Sequence, residues 1–362
     1  MGKTVNYGLL GCGMMGQEHL RNIALLPDTK VTAICEPDAG MRAAARALVP
    51  DVAFVGDIAA LLARPELDCL VIASPNHLHL AQLSQIAAIR PLPVLVEKPL
   101  FTDPQADVDK VLNSYDAPVW VAMEYRYMPP VAALLEHAAR ATGGVKMLTI
   151  KEHRFPFLPK VGDWNRFNAN SGGTLVEKCC HFFDLMRLII GAEPVRVMAS
   201  AGQAWNHRDE LYDGQTPDIW DHGYVIVDFE NGARAMLELC MFAEGARWQE
   251  EISAIGPAGK IEALVPGPGR FWPRDLGAAP VPQMVISPRS PKGPQVTEWP
   301  VDPELLAAGD HNGSTFYQHQ RFAAMLRGAQ NPEVTWRDGA SAVRMGLAAQ
   351  ASARNGQAVL LI

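Results

Sequence analysis

The sequence predicts an α/β protein of two domains: a doubly wound parallel sheet, followed by an α/β domain with a large, mainly antiparallel open sheet. The 362 residues exceed the size at which one hydrophobic core usually keeps growing. Over residues 1–123, short apolar runs alternate with helical patterns, which is typical of parallel strands covered on both faces. Over residues 124–362, longer alternating strands follow one another, which is typical of antiparallel pairing.

The strands predicted for the first domain are apolar along their whole length. They are VNYGLLGC, VTAIC, DCLVIAS, VLVEK and VWVAM. Helical patterns occupy GQEHLRNIALL, the 40s, and the stretch from Leu78 to Ile89. Since a continuous apolar strand must be buried on both faces, we expect helices on both sides of this sheet.

The strands predicted for the second domain are longer and alternate. They are VKMLTIKEHRF, VRVMASAGQAW, YVIVDFENG, RAMLELCMF and EEISAIGPAGKIEAL. Asn231-Gly232 predicts the tight turn of a hairpin. Residues 265–300, rich in proline, predict an irregular excursion, and an Ala-rich C-terminal helix is expected to end at Asn355-Gly356.

Composition excludes several classes of protein. Hydrophobic residues make up 48%, the formal net charge is −7, and no basic stripe could track a phosphate backbone, so nucleic acid is not expected as a partner. No apolar run approaches the roughly 20 residues that span a bilayer, so no membrane partner is expected. The N-terminus has no secretion-signal pattern and the six cysteines have no disulfide-framework spacing, which predicts a cytoplasmic protein.

A glycine-rich turn after the first strand predicts a dinucleotide site. Gly11, Gly13 and Gly16 fill the GxGxxG pattern of a Rossmann domain, where a pyrophosphate lies against the helix N-terminus. Glu36 ends the second strand, placed to accept hydrogen bonds from the adenosine ribose and to repel the extra phosphate of NADP. We therefore expect NAD rather than NADP, although Asp38 and Arg42 lie nearby. The cofactor contacts expected from this turn and strand are Gly11, Gly13, Met14, Met15, Gly16 and Glu36.

Two further loops follow strand ends, where ligands of an open parallel sheet lie. SPNHLH (74–79) follows the third predicted strand and EKP (97–99) follows the fourth. The cofactor contacts expected from these loops are Ser74, Pro75, Asn76, His79, Glu97 and Lys98. We expect His79 to have a structural role beside the cofactor.

With these motifs the chain resembles the Gfo/Idh/MocA oxidoreductases. The resemblance extends over nearly the whole chain and includes GCGMMG, SPNHLH, EKP, YRYMPP and GGTLVEKCCHFFD. It implies an N-terminal Rossmann domain, a C-terminal α/β domain with a large open sheet, and oxidation or reduction of sugars or cyclitols by a nicotinamide nucleotide. It also implies pairing of chains through the C-terminal sheet, as a homodimer or homotetramer.

The resemblance assigns roles residue by residue. Lys98 matches the family's catalytic lysine, and His181 falls on the catalytic histidine of the pattern GGxLxDxGxHxxD. Asp184 matches the trailing aspartate. Glu177 stands where the family usually has aspartate, and Cys179 stands where it has glycine.

The stretch SGGTLVEKCCHFFDLM (171–186) allows three hypotheses: a metal site, a proton-handling site, or an ordinary buried helix beginning near Thr174. On one helix, Glu177, His181 and Asp184 would form a stripe at i, i+4 and i+7. Adjacent cysteines diverge by about 100° on a helix, and no second ligand cluster is present in the sequence. We favour proton handling and expect no metal.

Several polar residues are further candidates for substrate binding. Trp164, Asn165 and Arg166 precede the helix, and an indole beside hydrogen-bonding groups suits stacking on a sugar ring. Arg126 is either a pocket wall or a salt-bridged residue. His311 and His319 flank a helix start and resemble positions near the substrate in sugar-oxidising relatives. The substrate contacts expected are Lys98, Arg126, Trp164, Asn165, Arg166, Glu177, His181 and His311.

The function predicted is NAD-dependent oxidation of a secondary hydroxyl on a pyranose sugar or cyclitol. His181 would be the general base, Lys98 would stabilise the developing alkoxide, and Glu177 would orient His181 or bind a substrate hydroxyl. Two alternatives remain. One is an NAD-dependent glycosidase working by transient oxidation and elimination, and the other is a non-catalytic NAD-binding regulator.

Overall fold

A computed structural model of the chain describes residues 4–361; the outermost residues of the two predicted domains, 1–3 and 362, lie outside it. The first domain is a six-stranded parallel sheet in the order β3-β2-β1-β4-β5-β6. Its strands are β1 Val5–Leu10, β2 Thr29–Cys35, β3 Ala53–Val55, β4 Cys69–Ile72, β5 Val94–Val96 and β6 Val119–Val121. The doubly wound parallel sheet predicted from the apolar runs is confirmed.

Helices connect successive strands of this sheet. They are α1 Met14–Ala24, α2 Ala39–Leu48, α3 Ile58–Leu62, α4 His79–Ile89 and α5 Val108–Leu112. Asp38 caps α2 by accepting a hydrogen bond from the Met41 amide at 2.8 Å. The short elements β3, α3 and α5 were not predicted, because three to five residues are too few to show a period.

The direction of the strand order reverses between β1 and β4. Parallel strands deliver their carboxyl ends to one edge of the sheet, and the crevice of an open α/β sheet lies there. The loops after β1, β2, β4, β5 and β6 therefore meet at that edge and build the site described below.

The second domain is centred on a nine-stranded sheet in the order β14-β13-β12-β11-β7-β10-β9-β8-β15. Its strands are β7 Met147–His153, β8 Pro194–Gly202, β9 His222–Phe229, β10 Arg234–Cys240, β11 Glu250–Gly256, β12 Gly259–Val265, β13 Gln283–Pro288, β14 Gln295–Glu298 and β15 Val359–Leu360. Only β7 and β10 pair in parallel within the described range, so the sheet is mainly antiparallel, as predicted.

Two details of this sheet bear on the sequence predictions. The hairpin of β9 and β10 turns at Gly232, whose φ of +78° lies in the left-handed region that favours glycine, as Asn231-Gly232 indicated. Residues 265–300 are more regular than predicted, because β13 and β14 extend the sheet from β12. Proline density concealed these two strands, since their pairing is set by β12 and not by local pattern.

Some helices of the second domain pack on this sheet, and others pack against α1 of the first domain. Together they are α6 Pro129–Thr142, α7 Asn168–Ser171, α8 Thr174–Glu177, α9 Cys180–Ile190, α10 Pro303–Ala308, α11 Ser314–Leu326 and α12 Trp336–Asn355. A capping box at Thr335 and Asp338 begins α12, and Gly356 ends it in the left-handed conformation, as predicted from Asn355-Gly356.

The end of the chain returns to the first domain. The Val121 amide of β6 donates a hydrogen bond to the Val334 carbonyl at 3.2 Å, and Trp120 bridges to Thr335. Gly339 of α12 lies so close to Val121 that an added Cβ would be 2.7 Å from its side chain. Residues after 330 therefore cover the outer edge of the first sheet.

Candidate active site

A cleft of about 630 Å³ runs along the carboxyl edge of the first sheet. Gly11, at φ +83°, lies so close to Ala73 that a Cβ would be 2.7 Å from its carbonyl oxygen, and a Cβ on Gly16 would be 2.5 Å from the Gly11 carbonyl. Gly13, in contrast, faces open space. Two of the glycines therefore allow close packing of the turn, and the third leaves room for a ligand.

The N-terminus of α1 opens onto this cleft. Gly13 is its N-cap residue, and within residues 4–361 no side chain caps it. The first amides of a helix favour an anion at that end. An open glycine, an uncapped helix start and an acidic residue after β2 together fit a dinucleotide. We therefore call this space the nucleotide cleft.

Glu36 lines the cleft at the end of β2 and is fixed by the backbone. Its carboxylate accepts hydrogen bonds from the Cys12 amide at 2.7 Å and the Asp38 amide at 2.8 Å. These bonds tie the glycine turn to the β2 end and hold a negative charge in the cleft. Arg42, which donates to the Glu36 carbonyl at 3.2 Å, does not line it.

The loop after β4 forms the opposite wall. Ser74, Pro75 and Asn76 line the cleft, as predicted. His79 does not: its ring nitrogens lie 2.8 Å from the Pro99 carbonyl and 2.9 Å from the Ser74 carbonyl, so it is the structural residue that we expected and not a cofactor contact. It connects the loops that follow β4 and β5.

A smaller inner cavity of about 90 Å³ adjoins the cleft on the side of the second domain. Five residues line both spaces: Met14, Met15, Lys98, Lys160 and Glu177. The walls of the inner cavity also include Glu18, Glu124, Tyr125, Arg154, Lys178, His181 and His311. The structure thus brings the EKP loop and the EKCCH segment to one place, as the sequence predicted.

Lys98 reaches across the domain crevice from the end of β5. Its ammonium donates a hydrogen bond to the Glu177 carbonyl at 3.0 Å. Burial opposes the charge, but the carboxylates of Glu177, Glu97 and Glu124 outweigh burial and raise the pKa of Lys98. Lys98 is therefore a fixed cation where the cleft meets the cavity.

Glu97, the residue before Lys98, belongs to a buried chain of hydrogen bonds. His19 of α1 lies 2.8 Å from the Glu97 carboxylate and, through its other ring nitrogen, 2.8 Å from His319. All three side chains are buried, and His319 does not line the inner cavity. This chain ties the EKP loop to α1 and α11, so His319 supports the site from behind instead of touching a substrate.

The surroundings of His181 disfavour its charged form, whereas those of Lys98 favour the charged form. Burial, reinforced by the nearby cations Lys98, Lys178 and His311, lowers the pKa of His181 well below its ordinary value. Its Nδ1 is buried and has no hydrogen-bond partner within residues 4–361. The ring stacks on Tyr125. His181 is therefore a neutral imidazole at neutral pH, able to accept a proton.

The segment that carries His181 is two helices, not the single helix predicted from Thr174 onwards. α8 ends at Glu177 and α9 begins at Cys180, with a turn between them. The predicted stripe of three residues is consequently divided. Glu177 and His181 line the inner cavity, whereas Asp184 points to Arg126.

Glu177 does not orient His181, contrary to one of the two roles expected for it. Its carboxylate accepts a short hydrogen bond from the Asn76 side chain and lies 3.7 Å from the Lys160 ammonium. Because Glu177 lines both the cleft and the inner cavity, contact with a substrate hydroxyl remains open to it.

Lys178 and Tyr125 form the floor of the cavity with buried acids behind them. The Lys178 ammonium lies 2.8 Å from the Glu152 carboxylate and donates a short hydrogen bond to the Tyr125 hydroxyl. Glu250 pairs with Glu152 across β11 and β7, and burial beside that carboxylate raises the pKa of Glu250 to about 7. Buried carboxylates and ammonium thus hold Tyr125 in place under His181.

His311 enters the cavity from the turn before α11. Its Nδ1 lies 2.7 Å from the Glu18 carboxylate, and its Nε2 lies 3.8 Å from Glu124. Burial opposes protonation, but Glu18 and Glu124 outweigh it and raise the pKa of His311 to about 9. His311 is therefore an imidazolium at neutral pH, facing the neutral imidazole of His181.

Three of the predicted substrate contacts are wrong. Arg126 forms a buried ion pair with Asp184 at 2.5 Å, and Arg166 pairs with Glu210 at 2.8 Å. Asn165 is fully buried and donates to the Leu158 carbonyl at 3.0 Å. None of the three lines the cleft or the inner cavity, because each is used to brace the loops around them.

Trp164 and Lys160 contact each other beside the cleft. Trp164 lines the nucleotide cleft and not the inner cavity, with the Lys160 ammonium 4.6 Å from the centre of its ring. Lys160 was not among the predicted site residues, yet it lines both spaces. In the sequence, Lys160 is distinguished only by the proline-containing segment FPFLPK, and that pattern does not by itself indicate a site residue.

The described residues contain neither a cluster suited to a metal ion nor a helix suited to a bilayer. Across residues 4–361, no three His, Cys, Asp or Glu side chains are arranged to hold a metal ion. All six cysteines, which fall in that range, are free thiols, with Cys179 and Cys180 buried. Among the helices of this range, none is long and apolar enough to cross a bilayer.

Both halves of the chain match models of one protein family. Residues 5–121 match the GFO_IDH_MocA family model described as oxidoreductase family, NAD-binding Rossmann fold. Residues 140–361 match the companion model, oxidoreductase family, C-terminal alpha/beta domain. An inositol 2-dehydrogenase of Rhizobium meliloti (strain 1021) is 31% identical over 266 residues, which cover 72% of this chain and 76% of that protein.

Two solved structures share the fold. A putative myo-inositol dehydrogenase from Sinorhizobium meliloti 1021 superposes with a TM-score of 0.76 at 22% identity, covering 99% of this chain and 100% of that one. An oxidoreductase from Agrobacterium radiobacter, in complex with NAD+, L-tartaric acid and magnesium, superposes with a TM-score of 0.79 at 17% identity, covering 99% and 98%.

Proposed function

The chain belongs to the Gfo/Idh/MocA oxidoreductase family, and on that premise we propose that it oxidises a secondary hydroxyl of a pyranose sugar or cyclitol with NAD as acceptor. One observation carries the proposal. A half-buried cation, Lys98, and a buried neutral imidazole, His181, line one cavity that opens onto the nucleotide cleft. An alcohol oxidation needs this pair, because a proton must leave the hydroxyl as negative charge develops on its oxygen.

His181 accepts the hydroxyl proton. Its depressed pKa keeps it unprotonated at neutral pH, and its position on Tyr125 fixes the plane in which it accepts. General base catalysis of this kind typically contributes about 10²–10⁴-fold to the rate.

Lys98 donates a hydrogen bond to the same oxygen as its proton leaves. The ammonium already points between the two domains, where the Glu177 carbonyl holds it. It is charged before the reaction begins, so no reorganisation is needed when the oxygen becomes alkoxide-like.

The cleft residues would hold the cofactor: Gly13 and the α1 N-terminus at the pyrophosphate, and Glu36 at the adenosine ribose. When bound, the nicotinamide ring takes up the hydride that leaves the substrate carbon. The buried charge of Glu36 supports NAD over NADP, since a 2′-phosphate would meet a carboxylate held by two amides.

The substrate class rests on relatives and on the polarity of the cavity. The relative sharing 31% identity is an inositol 2-dehydrogenase, whose name gives a cyclitol as substrate. Charged donors and acceptors line the inner cavity from several directions, which suits a ring bearing many hydroxyls.

We also propose that two or more copies associate through the C-terminal sheet. Met147, Tyr224 and Ile226 present apolar side chains on its outer face, and Tyr224 is 54% exposed. Apolar side chains grouped on an open sheet favour a partner sheet. Light scattering that returned the mass of one chain would contradict this proposal.

The test is a screen of pyranoses, cyclitols and glycosides for formation of free NADH, with Lys98→Met as the matched variant. We expect at least one polyol to be oxidised by the wild-type chain. The variant should lose turnover while NAD still quenches its tryptophan fluorescence. Full activity in Lys98→Met would contradict the proposal. Glycoside cleavage without net NADH formation would favour the glycosidase alternative.

A further inference from the structure

A third cavity, of about 510 Å³, continues from the inner cavity away from the nucleotide cleft. We call it the outer cavity. The residues shared by the inner and outer cavities are Met14, Glu18, Leu158, Pro268 and Asp310. The outer cavity shares only Met14 with the nucleotide cleft, so it lies beyond the space that the dinucleotide needs.

The walls of the outer cavity come from four parts of the chain. α1 contributes Met14, Glu18 and Arg21, the segment after β7 contributes Leu158, and the segment after β12 contributes residues 268–270. The end of α10 with the following turn contributes Leu306, Ala307, Gly309, Asp310 and Asn312. Two of these segments are loops joined by the ion pair of Arg270 and Asp310, in which Arg270 Nε lies 2.9 Å from the carboxylate. This ion pair therefore fixes two walls of the outer cavity relative to each other.

Its size separates the outer cavity from the inner one. The inner cavity, at about 90 Å³, is less than a fifth as large as the outer. Small-molecule sites usually measure about 300–1,000 Å³, and of these two cavities the outer one reaches that range. A substrate consisting of one ring would leave most of the outer cavity unfilled.

The charges of the outer cavity are balanced and already paired. Arg21 donates to the Ala308 carbonyl at 2.9 Å, and Arg270 is bonded to Asp310. Glu18 is engaged by His311 and by the Thr315 hydroxyl, 2.8 Å away. Two arginines and two carboxylates give no excess positive charge to receive a phosphate. These paired charges, together with the apolar side chains of Leu158, Pro268 and Leu306 on the same walls, instead suit a neutral group that bears hydroxyls.

We propose that the substrate is a glycoside or disaccharide, with the ring to be oxidised in the inner cavity and a second, uncharged sugar unit in the outer cavity. The proposal rests on the function proposed above and extends it. It requires that the second unit add to binding even when no chemistry takes place.

The test measures binding and turnover separately. Calorimetry on the protein saturated with NADH compares glucose with maltose and cellobiose, galactose with lactose, and each sugar with its phosphate ester. We expect at least one disaccharide to bind about tenfold more tightly than its constituent monosaccharides. Disaccharides that bind no better than monosaccharides would overturn the proposal, and so would a preference for the phosphate esters.

A steric variant locates the second unit. Leu306→Trp fills the outer cavity from α10, and Leu306 is 47% exposed, so the substitution does not disturb a core. It should remove the advantage of the disaccharide. Leu276→Trp, at a position 62% exposed and outside all three cavities, is the matched control and should retain the advantage. An unchanged advantage in Leu306→Trp would place the second unit elsewhere and refute the assignment. Binding without any NADH formation in turnover assays would instead count against the dehydrogenase function alone.

Discussion

The imidazole of His181 lies parallel to the phenol ring of Tyr125, with 4.1 Å between the ring centroids and 4° between the ring planes. Since the buried Nδ1 of His181 has no partner in the described part of the chain, this stacking is the contact that sets the ring plane. We expect Tyr125→Ala to lower kcat by about tenfold or more, with a smaller change in KM, because a misplaced base loses proton-transfer efficiency.

The same variant carries a second readout. Removing the ring admits water to His181, so its pKa should rise and the acidic limb of kcat/KM should move to higher pH. Tyr125→Phe keeps the ring but loses the hydroxyl that binds Lys178, so it should retain the wild-type profile and most of the rate. Tyr127→Phe, which loses a hydroxyl bonded to Glu333 outside the cavity, is the control. An unchanged profile in Tyr125→Ala would show that stacking does not position the base.

Glu36 should decide the choice of cofactor. Glu36→Gln keeps a hydrogen-bond acceptor for the Cys12 or Asp38 amide but removes the charge. The ratio of kcat/KM with NAD to that with NADP should exceed one in the wild type and fall by about tenfold in the variant. Asp57→Asn, an acidic N-cap of α3 that does not line the cleft, should leave the ratio unchanged. A wild-type preference for NADP would contradict the assignment.

Glu124 should give the reaction a second ionisation near neutral pH. Burial raises the pKa of this carboxyl to about 7, and its Oε2 is buried with no hydrogen-bond partner in residues 4–361. The carboxyl is protonated below that pH and ionised above it. If the ionised form accepts a substrate hydroxyl, kcat/KM rises as pH increases through 7.

The variant Glu124→Gln tests this role directly. It keeps the shape and one acceptor but cannot ionise, so the limb near pH 7 should disappear and KM should rise. Glu136→Gln, on the exposed side of α6, is the control. Persistence of the limb in Glu124→Gln would assign that ionisation to another group.

The ion pair of His311 and Glu18 should make stability depend on pH in a defined direction. His311 has a raised pKa of about 9 against an ordinary 6.5, so its contribution is complete below 6.5 and lost as pH rises through 9. Glu18 has a lowered pKa of about 2 against 4.5, so its contribution is complete above 4.5 and lost as pH falls through 2. Both contributions are complete between pH 4.5 and 6.5.

Urea unfolding of His311→Gln measures the effect. The loss of unfolding free energy relative to wild type should be largest near pH 6 and should shrink by pH 9.5, since the wild type then has little of the pair's stabilisation left. His137→Gln, on α6 and outside the inner cavity, should show no such trend. A loss that is equal at both pH values would mean that His311 contributes by packing alone.

The sequence allowed the first domain and half of the site to be predicted because their signals are local. Gly11, Gly13 and Gly16 meet in one turn, and Lys98 follows directly on a buried strand, so pattern and position coincide. His181, which lines the inner cavity, could be singled out because a family pattern frames it. The hairpin at Gly232 was equally local.

The substrate contacts that were predicted wrongly have non-local causes. They concern side chains whose partners lie far away in the sequence. Arg166 lies 44 residues from Glu210, and Arg126 lies 58 from Asp184. No sequence pattern indicates that those two arginines form ion pairs. Lys160 and Glu18 were missed for the same reason, because only the packing of the two domains brings them to one cavity.

The contact between Val121 and Gly339 has a consequence for how this protein can be made and remade. During synthesis, the sixth strand of the nucleotide domain leaves the ribosome more than two hundred residues before the segment that shields it, so that domain finishes packing only when the chain is nearly complete. Grafting a foreign nucleotide domain onto this scaffold would likewise have to carry the segment from Val334 to Gly339 along with residues 4–123. Replacing the nucleotide domain of this protein therefore requires the exchange of two separate segments of the chain.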